Sequence, residues 1–235
     1  MVNIDTVYQK VLAFANKEQR GYITPQEFNL YANQAQIEIY EQYYYDLNNF
    51  EMRDAAYNLN SDTTTLTRQK LDLFMLVDGG GTINAYVTSG NGKVLPDYIY
   101  RLSRVELDNI EAEYLDNNRF KDAITSGPLV KPSALHPVYT VRDSVVLVNG
   151  GSFANSTRIE FYRLPATVSW GYFVVGNKAL HDNSLLKTTH FELHAAEESE
   201  LVYRILAFAG ISMQKPNLAQ SAVNLETAKV KQEKQ

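Results

Sequence analysis

Thr24-Pro25-Gln26-Glu27-Phe28, running on to Tyr43-Tyr44-Tyr45, opens a long helix. Thr24 has the side chain of an N-cap, Pro25 stands at the first helical position, and Glu27 follows the cap by three. That is a capping box with a proline lead. Ile23 and Phe28 flank it with the spacing of a hydrophobic staple. Phe28, Ala32, Ala35, Ile39 and Tyr43 then recur at steps of three and four, which draws one apolar line along the helix. Tyr31, Ile37, Tyr40 and Tyr44 draw a second line. A helix apolar on more than one face has to be covered on more than one side, by neighbouring helices or by neighbouring subunits.

Upstream, Asn3 or Asp5 can cap a first helix reaching about Asn16, with Val7, Val11, Leu12 and Phe14 near one face. Downstream, residues 47–70 are polar, and Ser61-Asp-Thr-Thr-Thr65 reads as a loop. Leu66 to Val77 fits a short helix or a strand. From about 83 to 193 the apolar period becomes two. Strands are expected over Ile83–Val87, Asp97–Val105, Val145–Val148, Arg158–Arg163, Ser169–Val175 and Thr189–Leu193. Asn149-Gly150-Gly151 is a turn signal, and Pro165 ends the cleanest strand. Glu197, Glu198 and Glu200 then crowd the first turn of another helix, where negative charge is favoured. Leu201, Ile205 and Phe208 form its stripe, and Gly210 is the expected C-terminal cap. Leu218, Ala222 and Leu225 give the last segment a thin apolar seam, too little to bury much surface unaided.

These elements predict an α+β protein. N- and C-terminal helices (1–60 with 195–213) form a helical part. A central, mostly antiparallel β module spans 66–193, and an extended or helical docking arm spans 214–235. Composition narrows the class further. The 235 residues include no cysteine, which removes disulfides, cysteine nucleophiles and thiolate zinc sites. The net charge of −5 offers no electrostatic reason to seek nucleic acid. No stretch approaches the apolar length of a membrane span, and the N-terminus lacks a signal-peptide pattern. A protein made in a reducing cytosol is expected. Sixteen tyrosines against one tryptophan fit either core edges and strands or a partner surface.

Three motifs invite a chemical reading. Asn16 to Glu27 has the frame of a calcium loop, with Gly21, Ile23 and Glu27 in place. Arg20, however, puts a cation where an oxygen ligand is required. Asp78-Gly-Gly-Gly-Thr82 resembles a phosphate-cradling loop but stands without a second nucleotide signature. His190 and His194 would share a helix face, whereas a strand separates them by about 13 Å. No G-x-S-x-G elbow is present. No enzyme, metal or cofactor is expected.

Several stretches together resemble structural proteins of tailed bacteriophages. They are Asn3-Ile-Asp-Thr-Val-Tyr-Gln-Lys-Val-Leu-Ala13, Gly21-Tyr-Ile-Thr-Pro-Gln-Glu-Phe-Asn-Leu30 and Leu95-Pro-Asp-Tyr98. Further on come Ile159-Glu-Phe-Tyr-Arg-Leu-Pro165 with Trp170-Gly-Tyr172, Phe191-Glu-Leu-His194 with Glu197-Glu-Ser-Glu-Leu-Val202, and Ala209-Gly-Ile-Ser212 before Pro216 to Gln220. The pattern looks most like the neck, or head-to-tail connector, ring proteins of short-tailed and crAss-like phages. The resemblance implies a homo-oligomeric ring, a dodecamer, at the portal vertex of a virion assembled in the bacterial cytoplasm. Its partners would be the portal protein, adjacent neck or tail rings, and double-stranded DNA passing through without sequence recognition. Tyr40, Tyr43, Tyr44, Leu218, Ala222 and Leu225 are the expected interface residues. The alternatives are a tail or baseplate component and, third, a cell-wall hydrolase using Glu197 or Glu198.

Overall fold

The computed structural model describes residues 1–17, 23–57, 62–78, 87–88, 92–127, 131–151, 158–176, 178–182, 187–212, 220 and 222–228. The chain is α+β with mostly antiparallel strands, and it divides into two compact units. Unit 1 comprises Met1–Leu73 and Pro165–Gln235; unit 2 is Phe74–Leu164. The expected β module of 66–193 is therefore shared between them. Helix 62–72 and everything after Pro165 belong with the other helices.

Unit 1 is built on α1 (Ile4–Lys17), α2 (Pro25–Tyr57), α3 (Asp62–Asp72) and α5 (Glu198–Ser212). Asn3 caps α1, its Oδ1 accepting from the Asp5 N–H at 2.8 Å. The capping box at α2 is formed. Glu27 accepts from the Thr24 N–H at 2.9 Å and from its hydroxyl at 2.7 Å. Those two bonds hold the Glu27 carboxyl below its ordinary range. Ile23 and Phe28 are fully buried, as a staple requires.

The line Phe28, Ala32, Ala35, Ile39 and Tyr43 is buried throughout. Helix α2 contacts α3 and α5, and Leu201, Val202, Ile205 and Ala209 of α5 are buried. On α1 the buried face is Ile4, Val7, Tyr8, Val11 and Ala15; Phe14 falls beyond its arc and is exposed. Tyr8 joins Phe28 and Trp170, with ring centroids 4.6 and 4.3 Å away.

Three local expectations differ in unit 1. Ser61–Thr65 was expected as a loop, but the helix begins at Asp62 and buries Thr64. Tertiary contact with α2 outweighs the weak helix propensity of threonine. Gly210 does not end α5; it is a buried position two residues before the helix stops. Thr189–Leu193 is extended but forms only isolated bridges, Thr189 with Ser169 and Phe191 with Val2. Phe191 and Leu193 still point inward, as the alternation indicates.

The strands of unit 2 form two sheets. One contains β1 (Met75–Asp78), β9 (Arg158–Arg163), β4 (Ile99–Leu107) and β5 (Ile110–Glu111), in that order. The other orders β2 (Val87–Thr88), β3 (Gly92–Val94), β8 (Val145–Asn149), β7 (Val138–Arg142) and β6 (Glu113–Tyr114). All pairings are antiparallel except β6 with β7. Leu66–Val77 resolves into the end of α3 followed by most of β1.

The core of unit 2 gathers Val105 and Leu107 from β4, Val146 and Val148 from β8, and Ile159 and Phe161 from β9. Asp108-Asn109 and Asp143-Ser144 are two-residue hairpin turns with all four φ angles between 50° and 64°. That is the left-handed pair that short hairpins need, here without glycine. Gly150 is a bend at φ 87°, where a Cβ would come 2.6 Å from the Ser133 carbonyl oxygen. Helix α4 (Asn117–Thr125) is capped by Asp116 and lies on β7, burying Phe120. The remaining hairpin, β10 (Tyr172–Val175) with β11 (Lys178–His181), belongs to unit 1. The strand expected at Ile83–Val87 lies outside the described residues apart from Val87. So do residues 18–22 of the calcium-loop frame and residues 79–82.

Candidate functional site

The face of α2 turned away from its own core is the candidate. At 100° per residue, Leu30, Ile37, Tyr45 and Met52 fall within about 80° of arc, nearly opposite the Phe28–Tyr43 line. All four are solvent-exposed, Leu30 at 70% and Met52 at 74%. Gln34, Glu41 and Asn48 alternate with them along the same stripe and are exposed too. Apolar residues thus recur every seven or eight positions, close to a coiled-coil seam in period but half as dense. The helix is about 50 Å long at 1.5 Å per residue, and the stripe from Leu30 to Met52 covers about two-thirds of it.

The residues expected at an interface are placed as follows. Tyr40 and Tyr43 are buried within the chain. Tyr44 is half-buried, and its hydroxyl is 2.9 Å from that of Tyr40. The second apolar line therefore turns largely inward, and Leu30, Tyr45 and Met52 carry the outward surface in its place. An angular count from Phe28 would have found them. Leu218 lies outside the described residues. Residues 222–228 are helical, with Ala222 buried and Leu225 exposed. This part of the arm is anchored on its own unit, because Glu226 reaches Arg204 at 3.1 Å.

Arg204 is the centre of that anchorage. It also meets Glu200 at 2.7 Å and Glu38 at 3.3 Å. Burial works against its charge, but Glu200, Glu226 and Glu38 outweigh burial and raise the guanidinium's pKa. One cation thereby joins α5, α2 and the C-terminal helical segment.

The other polar groups that invite a chemical reading have fastening roles. His190 Nδ1 accepts from the Ile4 N–H at 3.3 Å, and His194 Nδ1 accepts from the Ala196 N–H at 3.2 Å, capping a short 3-10 turn. Glu197 is buried against Lys70 at 2.5 Å, and Glu198 pairs with Lys10. Asp5, His181 and Thr188 stand in carboxylate–imidazole–hydroxyl order, with His181 Nε2 3.4 Å from Thr188 Oγ1. That order belongs to nucleophilic catalysis. Here the Thr188 hydroxyl donates to the Asp182 carbonyl at 2.5 Å, and Asp5 accepts from Trp170 Nε1 at 2.9 Å. The Asp5–His181 gap of 3.9 Å exceeds a hydrogen bond. The Asp5–Trp170 bond ties α1 to the residues just before β10, and Thr188 fastens the chain just after β11. Among the described residues no group of three His, Asp or Glu side chains could hold a metal, and no helix is long and apolar enough to cross a membrane.

Neither a protein-family model nor a curated protein matches the chain.

Proposed function

We propose that this chain is a structural virion protein whose copies form a ring at the portal vertex. The ring joins the capsid portal to the tail and leaves a channel for DNA. The observation that carries this reading is the two-faced α2. One face is consumed by the chain's own core, and the opposite face keeps Leu30, Ile37, Tyr45 and Met52 in water. A long exposed apolar stripe with polar residues between is what a subunit interface of core and rim requires. The sequence resemblance to neck and connector proteins supplies the setting, with a dodecamer as its implied stoichiometry. The net charge of −5 suits a conduit, since a wall attractive to phosphate would retard DNA.

Cryo-electron microscopy of the virion that carries this protein tests the reading. Density for a ring of copies between portal and tail is the expected result. Density at the distal end of the tail would replace the reading with a baseplate component. Absence from the particle would overturn both.

A further inference from the structure

The base of the β10–β11 hairpin contains a histidine whose proton positions are dictated by its neighbours. The Thr188 hydroxyl has one proton and two lone pairs to share among three groups. The Asp182 carbonyl oxygen lies 2.5 Å from Thr188 Oγ1, a distance two oxygens hold only with a proton between them, so the hydroxyl donates there. The Gly171 N–H donates to the same hydroxyl oxygen at 3.2 Å. His181 Nε2, 3.4 Å away, therefore faces a lone pair and is itself the donor. A neutral imidazole has one N–H, which leaves Nδ1 bare. That bare nitrogen stands 3.9 Å from Asp5 Oδ1, a lone pair facing a carboxylate.

A second proton on the ring reverses that contact. Nδ1–H would then donate to Asp5, which already accepts from Trp170 Nε1 through the same oxygen at 2.9 Å. The imidazolium would also lie on the Trp170 indole, whose centroid is 5.5 Å away with the rings 16° from parallel. The charges around the ring favour a cation. Asp5 comes from α1, and Asp182, just after β11, is paired with Lys187 at 2.8 Å. Tyr172 lies opposite His181 across the hairpin and stacks on the same indole at 5.9 Å. Lys178 is at the far end of β11, opposite Val175, and the α2 residue bonded to Trp170 is the uncharged Asn29. His190 accepts from the Ile4 N–H through Nδ1, so its protonation would cost that bond and act with the opposite sign. The fastening matters because the hairpin has little other support. Among the described residues β10 and β11 pair only with each other, and Phe173, Val174, Val175 and Leu180 are exposed. A lone two-stranded ribbon is marginally stable in water.

We propose that His181 is a proton-operated fastener between the β10–β11 hairpin and α1. Protonated, it is bonded at both nitrogens, to Thr188 and to Asp5, and the hairpin is held down. Neutral, it keeps the Thr188 bond alone, and Nδ1 and Asp5 hold apart. The sign follows from linkage. The folded chain gives the charged ring partners that the open hairpin lacks, so the added hold is complete at the acid end. It is lost as pH rises through the range of about 5 to 8 in which imidazoles titrate. The inference does not depend on ring formation.

Hydrogen–deuterium exchange on the full chain tests it, read across 172–175 and 178–181 at pH 5.5 and pH 8 and corrected for the pH dependence of the chemical step. Protection of the hairpin in the wild type is expected to be roughly fivefold greater at pH 5.5. Asp5→Asn removes the charge but keeps an oxygen for Trp170, and His181→Gln keeps a donor for Thr188; each is expected to lose the pH response. His190→Gln is expected to retain it. Equal protection of the wild type at both pH values, a response that survives in Asp5→Asn or His181→Gln, or one abolished by His190→Gln would overturn the proposal. Nitrogen-15 NMR of the wild-type imidazole at pH 8 gives a check that needs no variant. A proton on Nε2 with Nδ1 bare is expected, and the opposite tautomer would overturn the proposal.

Discussion

The interior of unit 1 contains Gln36, Glu197, Glu200 and Arg204, whereas the core of unit 2 is assembled from hydrophobic residues such as Val105, Leu107, Val146 and Phe161. The difference follows from what each interior has to hold. Unit 2 joins strands whose backbones satisfy one another, so its core needs only volume and alternation. Unit 1 must attach an irregular extended segment to a helix, and a helix has no backbone groups to spare. Side-chain amides of α2 do that work. Asn29 bonds both the N–H and the carbonyl of Trp170, and Asn33 does the same for Val168, with distances of 2.7 to 3.4 Å. Gln36 donates to the Ala166 carbonyl at 2.9 Å and accepts from the Glu192 N–H at 3.2 Å. Asn29, Asn33 and Gln36 thus form a ladder along one side of α2, matching every second residue of the chain from Ala166 to Trp170.

Breaking the charge cluster of unit 1 should have the largest effect. Arg204→Met leaves Glu200 buried without its cation and should cost about 3–5 kcal/mol. The change would appear as a lowered urea midpoint, and adding Glu200→Leu should restore much of the loss. If Arg204→Met alone were neutral, charge would not be what joins α5 to its neighbours. In unit 2 the corresponding damage is a cavity. Leu107→Ala should cost about 3 kcal/mol, read the same way, and a polar double mutant would offer no rescue.

Asn33→Ala tests the amide ladder. It strands the Val168 N–H and carbonyl and should cost about 1–3 kcal/mol, with faster amide exchange at Val168 than in the core of α2. The capping box should show the smallest effect. Thr24→Ala is expected to cost about 1 kcal/mol, and Glu27→Gln a few tenths, since glutamine serves the same box. Glu27 titrates below its ordinary value of 4.5, so its contribution is complete above that value and is lost as pH falls through the lowered one. Thermal melts of the wild type and Glu27→Gln between neutral pH and pH 3 should therefore converge at the acid end.

The same contrast explains which parts of the fold were legible in the sequence. Periodicity exposed the buried line of α2 and strand β9, whose ends at Arg158 and Arg163 match the expectation residue for residue. It could not expose the route of 165–193. That segment is held by Asn29, Asn33 and Gln36, more than a hundred positions away, and an amide on a helix reads as an ordinary surface residue. The hairpin turns at Asp108-Asn109 and Asp143-Ser144 escaped because the signal sought was glycine. At the candidate site, tyrosine was over-weighted. Tyr40 and Tyr43 are hidden by the chain's own packing, and the exposed stripe depends on Leu30 and Met52, which no aromatic count would single out.

The most direct measurement is the mass of the purified full chain by light scattering, beside a Leu30→Glu, Met52→Glu variant. Both positions are solvent-exposed, so the variant should fold with an unchanged circular dichroism spectrum and melt. The account predicts a closed oligomer for the wild type and a 26.6 kDa monomer for the variant. A wild type that stays monomeric at high concentration, or an oligomer indifferent to both glutamates, would contradict it.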